Sequence, residues 1–389
     1  MKKGELQLDT QYQWYRSHTH FVGTEEQINR EASQSQVINN VQELKVGLTR
    51  GLDERWSVQG VVPVLDAKRS NRDGLDLQAF ANNANTLSAS PDAAFPNVKS
   101  QFGLTSRAEA GDVFQMGDIT LMARRWMFKP DINAKGNIQL GLGIKIPTGS
   151  PNETNIQRVL PAAVPANLKV VADGVSTALT GKKVGVKGGL TTAQVIRELV
   201  AGGKMALETS ERLNDQSIQP GDGGWGAIFS FDAYRKLWPQ RTGYLQVLYL
   251  FNPQDVEKSA DRALNNPAAI GTLTQFLSTP DAYLARAGLI FSNLGGFSTL
   301  SGSIGLRWEG VPTHDLIGQS HGFRRPGYYI AIEPGLVRTR GKEVFTLRAP
   351  ISLTRNRQVS EPESETGDGS QGDAGFADYS VIASYGRRF

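Results

Sequence analysis

The chain has 389 residues, 39% of them hydrophobic, a mean hydropathy of −0.33, no cysteine, and a net charge of +4 from 42 basic and 38 acidic residues. No run reaches the roughly 18 consecutive apolar residues of a transmembrane helix, and without cysteine there are no disulfides, thiolate metal sites or cysteine nucleophiles. The charge bias is too small to argue for nucleic acid, and such a mean hydropathy fits a soluble protein or a membrane β-barrel equally, because a barrel hides its apolar residues at every second position.

Met1, Lys2 and Lys3 look like the charged start of a secretory signal. Gly4 to Tyr15 already alternates and has no apolar stretch, so the chain reads as a mature form. About twelve alternating segments bounded by turn residues follow, each of the roughly 10 residues a tilted membrane strand needs. They run Glu5 to Tyr15, Val37 to Arg50, Trp56 to Ala67, Asp118 to Phe128, Asn137 to Pro147, Gly224 to Leu237, Thr242 to Asn252, Ala282 to Ser292, Phe297 to Glu309, Gly327 to Thr339, Val344 to Arg357 and Phe376 to Phe389. An even number puts both termini on one side, which in an outer-membrane barrel is the periplasm.

The connections sort by parity. Gly51 to Arg55, Lys129 to Gly136, Trp238 to Arg241, Asn293 to Gly296 and Arg340 to Glu343 are short and carry turn formers such as Pro239 and Gly341. The alternate connections are long: Arg16 to Gln36, Lys68 to Gly117, Thr148 to Gly223, Pro253 to Asp281, Gly310 to Pro326 and Gln358 to Gly375. Short periplasmic turns and long outer loops are the asymmetry of a bacterial outer-membrane barrel, and a soluble sandwich has no reason for it. The fold class expected is therefore all-β: one domain over 1–389, a transmembrane antiparallel β-barrel of about twelve strands with short helices in its loops. The terminal Phe389 resembles the signal read by the outer-membrane assembly machinery.

Aromatic residues gather at strand ends, where amphipathic rings sit at headgroup level. Trp56, Trp126 and Trp238 fall near the short-turn rim, and Trp14, Trp225 and Trp308 near the other. The polar face of the strands carries mixed charge, including Lys45, Arg388, Glu43 and Asp9. Such charges either pair across strands for structural reasons or form a selective constriction, for which the candidates are Arg124, Lys145, Arg286, Arg307 and Arg348 against Asp118, Asp232 and Glu333.

Thr191 to Leu199 reads as a short amphipathic helix and Asp255 to Leu277 as a second one interrupted by Pro267. Loops 68–117 and 148–223 either plug the lumen or cap the surface. The four histidines, His18, His20, His314 and His321, all fall in expected loops. His18 and His20 have metal-binding spacing on an extended strand but read as a solvated pair, and His314, Asp315, Ser320 and His321 have triad residue types crowded into one loop, so no metal, cofactor or catalysis is expected. Glu361 to Asp373 is acidic without calcium-loop spacing and reads as a solvated loop.

Two stretches carry a resemblance: GDITLMARRWMF (Gly117 to Phe128) with GLGIKIPTGS (Gly141 to Ser150), and PGDGGWGAIFSFDAYRKL (Pro220 to Leu237). They resemble the outer-membrane proteins of the meta-pathway of phenol degradation. The resemblance covers mainly the middle third, brings no catalytic residues, and implies a barrel that takes up small, often aromatic, molecules passively. The expectation is a porin-like channel contacting outer-membrane lipid and lipopolysaccharide; the alternative is a non-transporting barrel whose outer loops anchor a partner protein.

Overall fold

The computed structural model describes residues 2–28, 30, 36–71, 108–130, 135–159, 173, 176–177, 180–183, 208–264, 269–367, 369 and 371–389. Alternation becomes twelve antiparallel crossings: β1 Leu6–Val22, β2 Ile38–Gly51, β3 Trp56–Asn71, β4 in two pieces (Ala108–Met116 and Ile119–Trp126), β5 Gly136–Ile146, β6 Gly226–Trp238, β7 Arg241–Phe251, β8 Ala282–Ser292, β9 Leu300–Val311, β10 Gly327–Arg340, β11 in two pieces (Glu343–Arg348 and Ile351–Arg357) and β12 Ala374–Arg388. Each crossing pairs with its neighbours in sequence, and β12 pairs with β1 from Arg388 against Gln7 to Ala374 against Phe21, so the wall closes.

Both interrupted strands sit beside prolines. Pro63 and Pro334 have no N–H to donate, and their carbonyls instead accept from the displaced N–H groups of Gly117 (2.9 Å) and Ala349 (3.1 Å). The short connections turn tightly: Gln240 (φ +62°) and Gly341 (φ +58°) both adopt the left-handed conformation that a reversal of two or three residues requires. At Gly341 a side chain would meet open space, so conformation alone selects glycine there.

Alternation also sorts the faces. Leu48, Leu142, Ile144, Leu306, Leu347 and Leu353 point outward and are 45% exposed or more. An apolar band of this kind on a closed barrel is what hydrocarbon solvates, whereas water would penalise it. No helix among the described residues is long and apolar enough to cross a membrane; the strands do so instead.

Several strands outrun their alternating patterns. β1 continues through Arg16 to Val22, which places His18 and His20 on a strand rather than in a loop, and β3 and β4 extend to Asn71 and back to Ala108. Beyond the apolar band neither face meets lipid, so the period-2 signal fades while backbone pairing persists. Asp255 to Leu277 is no helix: Val256–Asp261 pairs with Phe276–Ser278, with a short 3₁₀ turn at Arg262–Leu264. The pairing leaves Ala260 and Leu277 buried with Leu213 and Phe323, a small apolar core at the long-loop end that a lone helix would not form. The expected helix Thr191 to Leu199 and most of loops 68–117 and 148–223 lie outside the described residues.

Candidate functional site

The lumen has two levels. At mid-height Arg286 on β8 binds Glu333 on β10 through Nη2 and through Nε (2.9 Å), and Arg307 on β9 donates to the other carboxylate oxygen at 3.3 Å. Arg307 also pairs with Glu309 and donates to the Tyr329 hydroxyl (3.2 Å), which in turn donates to Glu309. Gln246 accepts from Arg286 and donates to Asp232 at 2.8 Å, extending the chain of contacts to β6. Glu333 is only 2% exposed. A carboxylate so enclosed is tolerable because two guanidinium groups share it.

Arg124 and Arg348 differ. Arg124 donates to Gln59 Oε1 (2.7 Å) and Arg348 to Gln11 Oε1 (3.4 Å), and neither has a carboxylate within 4 Å among the described residues. Register places Arg124 opposite Ser57 and Gly141, and Arg348 opposite Gly335 and Ile382, all on the lumen face. Arg124 lines a cavity of about 560 Å³ with Gln7, Asp9, Lys45 and Gln59.

Above this level a segment of the long connection between β5 and β6 folds into the barrel. Ile218 is fully buried against the inward faces of Val41, Ala67 and Val113. Gly111 makes room, since a Cβ there would stand 2.5 Å from Ile218 Cδ1 and 2.8 Å from Asn214 Oδ1. A short 3₁₀ turn over Gln216–Ile218, capped by Asp215 on Ser217 N, shapes the insertion. Three contacts fasten it. Arg325 Nη1 and Nη2 each donate to Asp215 at 2.9 Å, Arg69 lies 3.2 Å from the same carboxylate, and Lys145 on β5 pairs with Asp222 and, at 3.7 Å, with Asp118. Burial alone pushes the Asp215 carboxyl up, but the Arg325 and Arg69 charges and the hydrogen bonds from Arg325 and Ser217 outweigh it and hold the group well below the usual carboxylate range. Beneath the insertion lies a cavity of about 770 Å³ with an apolar wall of Leu248, Leu250, Leu284 and Val311 facing His20, Asn39 and Arg69.

The eight lumen candidates thus fall into three groups: Arg286, Arg307, Glu333 and Asp232 in one network, Lys145 and Asp118 at the insertion, and Arg124 and Arg348 apart. Trp56, Trp225, Trp238 and Trp308 are exposed, and Trp14 packs at a tilt against Tyr379. Trp126 is a correction. Two residues beyond Arg124 on an unbroken strand, it shares the lumen face and meets Tyr234 edge-on, so it lines the short-turn mouth and not the lipid belt.

The histidines are engaged. His20 Nδ1 lies 3.0 Å from Asp373 and His18 Nε2 3.5 Å from Asp378, so the pair is tied to two different carboxylates. Ser320 Oγ accepts from Asp315 N, Asp315 forms a doubly hydrogen-bonded, fully buried pair with Arg324, and His321 faces Asp255, so the triad residue types never converge. The acidic loop is likewise not free: Ser360 and Glu363 form a capping box on the helix Glu361–Glu365, and Asp373 binds Arg30 at 2.5 Å.

An outer-membrane channel from Pseudomonas putida F1 is similar at a TM-score of 0.53 and 11% identity, with 100% of this chain and 97% of that chain covered. The fold is that of an outer-membrane β-barrel. The outer-membrane barrel is also loosely similar to the toluene transporter TodX of P. putida (TM-score 0.41, 8% identity, 100% and 91% covered) and to the translocator domain of the autotransporter NalP from Neisseria meningitidis (0.41, 11%, 100% and 90%), likenesses too distant to inform function. No protein-family model matches the barrel, and no curated protein does.

Proposed function

We propose that the barrel is an outer-membrane channel through which small solutes diffuse passively, with both termini and the short turns in the periplasm. The observation that carries this reading is the pair Arg124 and Arg348, two lumen guanidinium groups with no carboxylate within 4 Å among the described residues, beside Arg286 and Arg307, which Glu333 neutralises. A purely structural interior has no reason to leave cations uncompensated, whereas a passage for anions does. The apolar wall above them suits an aromatic ring, so small aromatic acids are the solute class favoured. The insertion at Ile218 narrows the path and sets the resting conductance.

Lipid and lipopolysaccharide surround the apolar band, and Phe389, 57% exposed beside Leu6, is offered to the assembly machinery. Liposome swelling tests the reading: benzoate should enter proteoliposomes faster than a neutral sugar of similar size. Equal swelling with empty and protein-loaded vesicles would leave the alternative, a silent barrel whose exposed Leu316 and Ile317 at a loop tip bind a partner protein.

A further inference from the structure

We propose that the long-loop end carries a binding site for a divalent transition-metal ion, such as zinc, formed by His321, Glu361 and Glu365. One ligand atom from each of the three lies within 4.8 Å of the other two. The residues come from two different connections: His321 from the one between β9 and β10, and the glutamates from the helix Glu361–Glu365 between β11 and β12. An imidazole with two carboxylates is a donor set for zinc-like ions rather than for calcium, which takes oxygen alone.

Three features distinguish the group from a chance meeting of surface acids. Asp255 lies 3.1 Å from His321 Nδ1, the position a carboxylate takes when it orients a ligating histidine, and Nε2 is then left on the side of Glu361, 3.9 Å away. Glu361 and Glu365 stand four residues apart on one helical face, a spacing at which like charges repel, and among the described residues no Lys or Arg lies within 4 Å of either. A cation between them and His321 relieves that repulsion. The helix is also pinned independently of any metal, by the Ser360–Glu363 capping box and by Glu363 with Arg357 at 2.7 Å, so its two outer carboxylates are presented on a fixed turn.

The consequence is a cross-link. His321 shortly precedes Arg324 and Arg325, which hold Asp315 and Asp215, so a metal here ties the connection that fastens the lumen insertion to the neighbouring acidic connection.

The test is calorimetric titration of ZnCl₂ into the chelator-stripped full-length barrel in detergent, with heat-modifiable migration on gels as the check that each variant is folded. Wild type should bind one ion saturably. Glu365→Gln and His321→Ala should each weaken binding by at least tenfold, Asp255→Asn by about 10- to 100-fold as for other orienting carboxylates, and His18→Ala should leave it unchanged. Absence of saturable binding by wild type overturns the proposal. So does unchanged affinity in folded His321→Ala or Glu365→Gln, or equal binding of calcium and zinc.

Discussion

Asp215 and Arg325 meet end to end, both carboxylate oxygens on both terminal guanidinium nitrogens at 2.9 Å, and join the segment inside the barrel to the connection that roofs it. The contact has the planar two-point geometry in which an arginine and a carboxylate bind most strongly. The two residues lie far apart in the chain, so the bond ties the insertion to a distant connection and adds to what Arg69, Lys145 and Ile218 contribute.

Removing one partner should therefore open the passage. In Asp215→Asn the carboxylate is lost while Arg69 and Arg325 remain, and breaking a buried pair in this way costs about 3–5 kcal/mol. Expected outcomes are a larger single-channel conductance and faster proteolysis within residues 208–225. A variant with wild-type current and protease resistance would show that the latch holds nothing.

Acid should leave the latch closed over a wide range. The folded Asp215 carboxyl lies below its unfolded value, so its contribution is fully present above about pH 4, the ordinary carboxylate range, and fades only as pH falls further toward the folded value. Burial pushes the Asp373 carboxyl up, but the His20 hydrogen bond and the Arg30 charge outweigh it and lower the group, so it follows the same sign. Conductance recorded at pH 7.5 and pH 5 should agree; a rise already at pH 5 points to another titrating group as the gate.

Gly111 offers a steric route to the same end. A valine there collides with Ile218 and Asn214, which occupy the space its side chain needs. Gly111→Val should raise conductance about as much as Asp215→Asn, and the double variant should add little, because both release one segment. Strict additivity in log conductance argues for two independent obstructions.

Glu333 and the free arginines should separate stability from selectivity. Glu333→Gln leaves Arg286 and Arg307 sharing a neutral amide, so the urea midpoint of refolded barrel should fall, by about 3–5 kcal/mol in unfolding free energy. Arg124→Gln and Arg348→Gln break no ion pair; each should preserve the midpoint and shift the reversal potential in a KCl gradient toward cation preference. Selectivity unaltered in the double variant removes these residues from the permeation path.

The wall was legible because lipid enforces a period of two over every crossing, and turn length alternates with side. The lipid-facing Leu142 and Leu306 and the lumen-facing Arg286 and Glu333 were separable by parity alone. The insertion was not legible. In Asn214 to Asp222 the single large apolar side chain, Ile218, shows no periodicity, and its partners Val41, Ala67 and Val113 read as ordinary strand residues until the loop packs on them. Trp126 was misplaced for a related reason: proximity to a strand end says how deep a residue lies, whereas only register says which face it takes. Likewise His321 reads as a loop residue beside Ser320, and only folding brings it to Glu361 and Glu365.

The central claim is a wetted path through a closed cylinder, and single-channel recording in planar bilayers tests it most directly. The account predicts discrete anion-selective openings of small conductance for wild type and larger ones for Asp215→Asn. Folded, heat-modifiable protein that inserts yet carries no current in either form contradicts it.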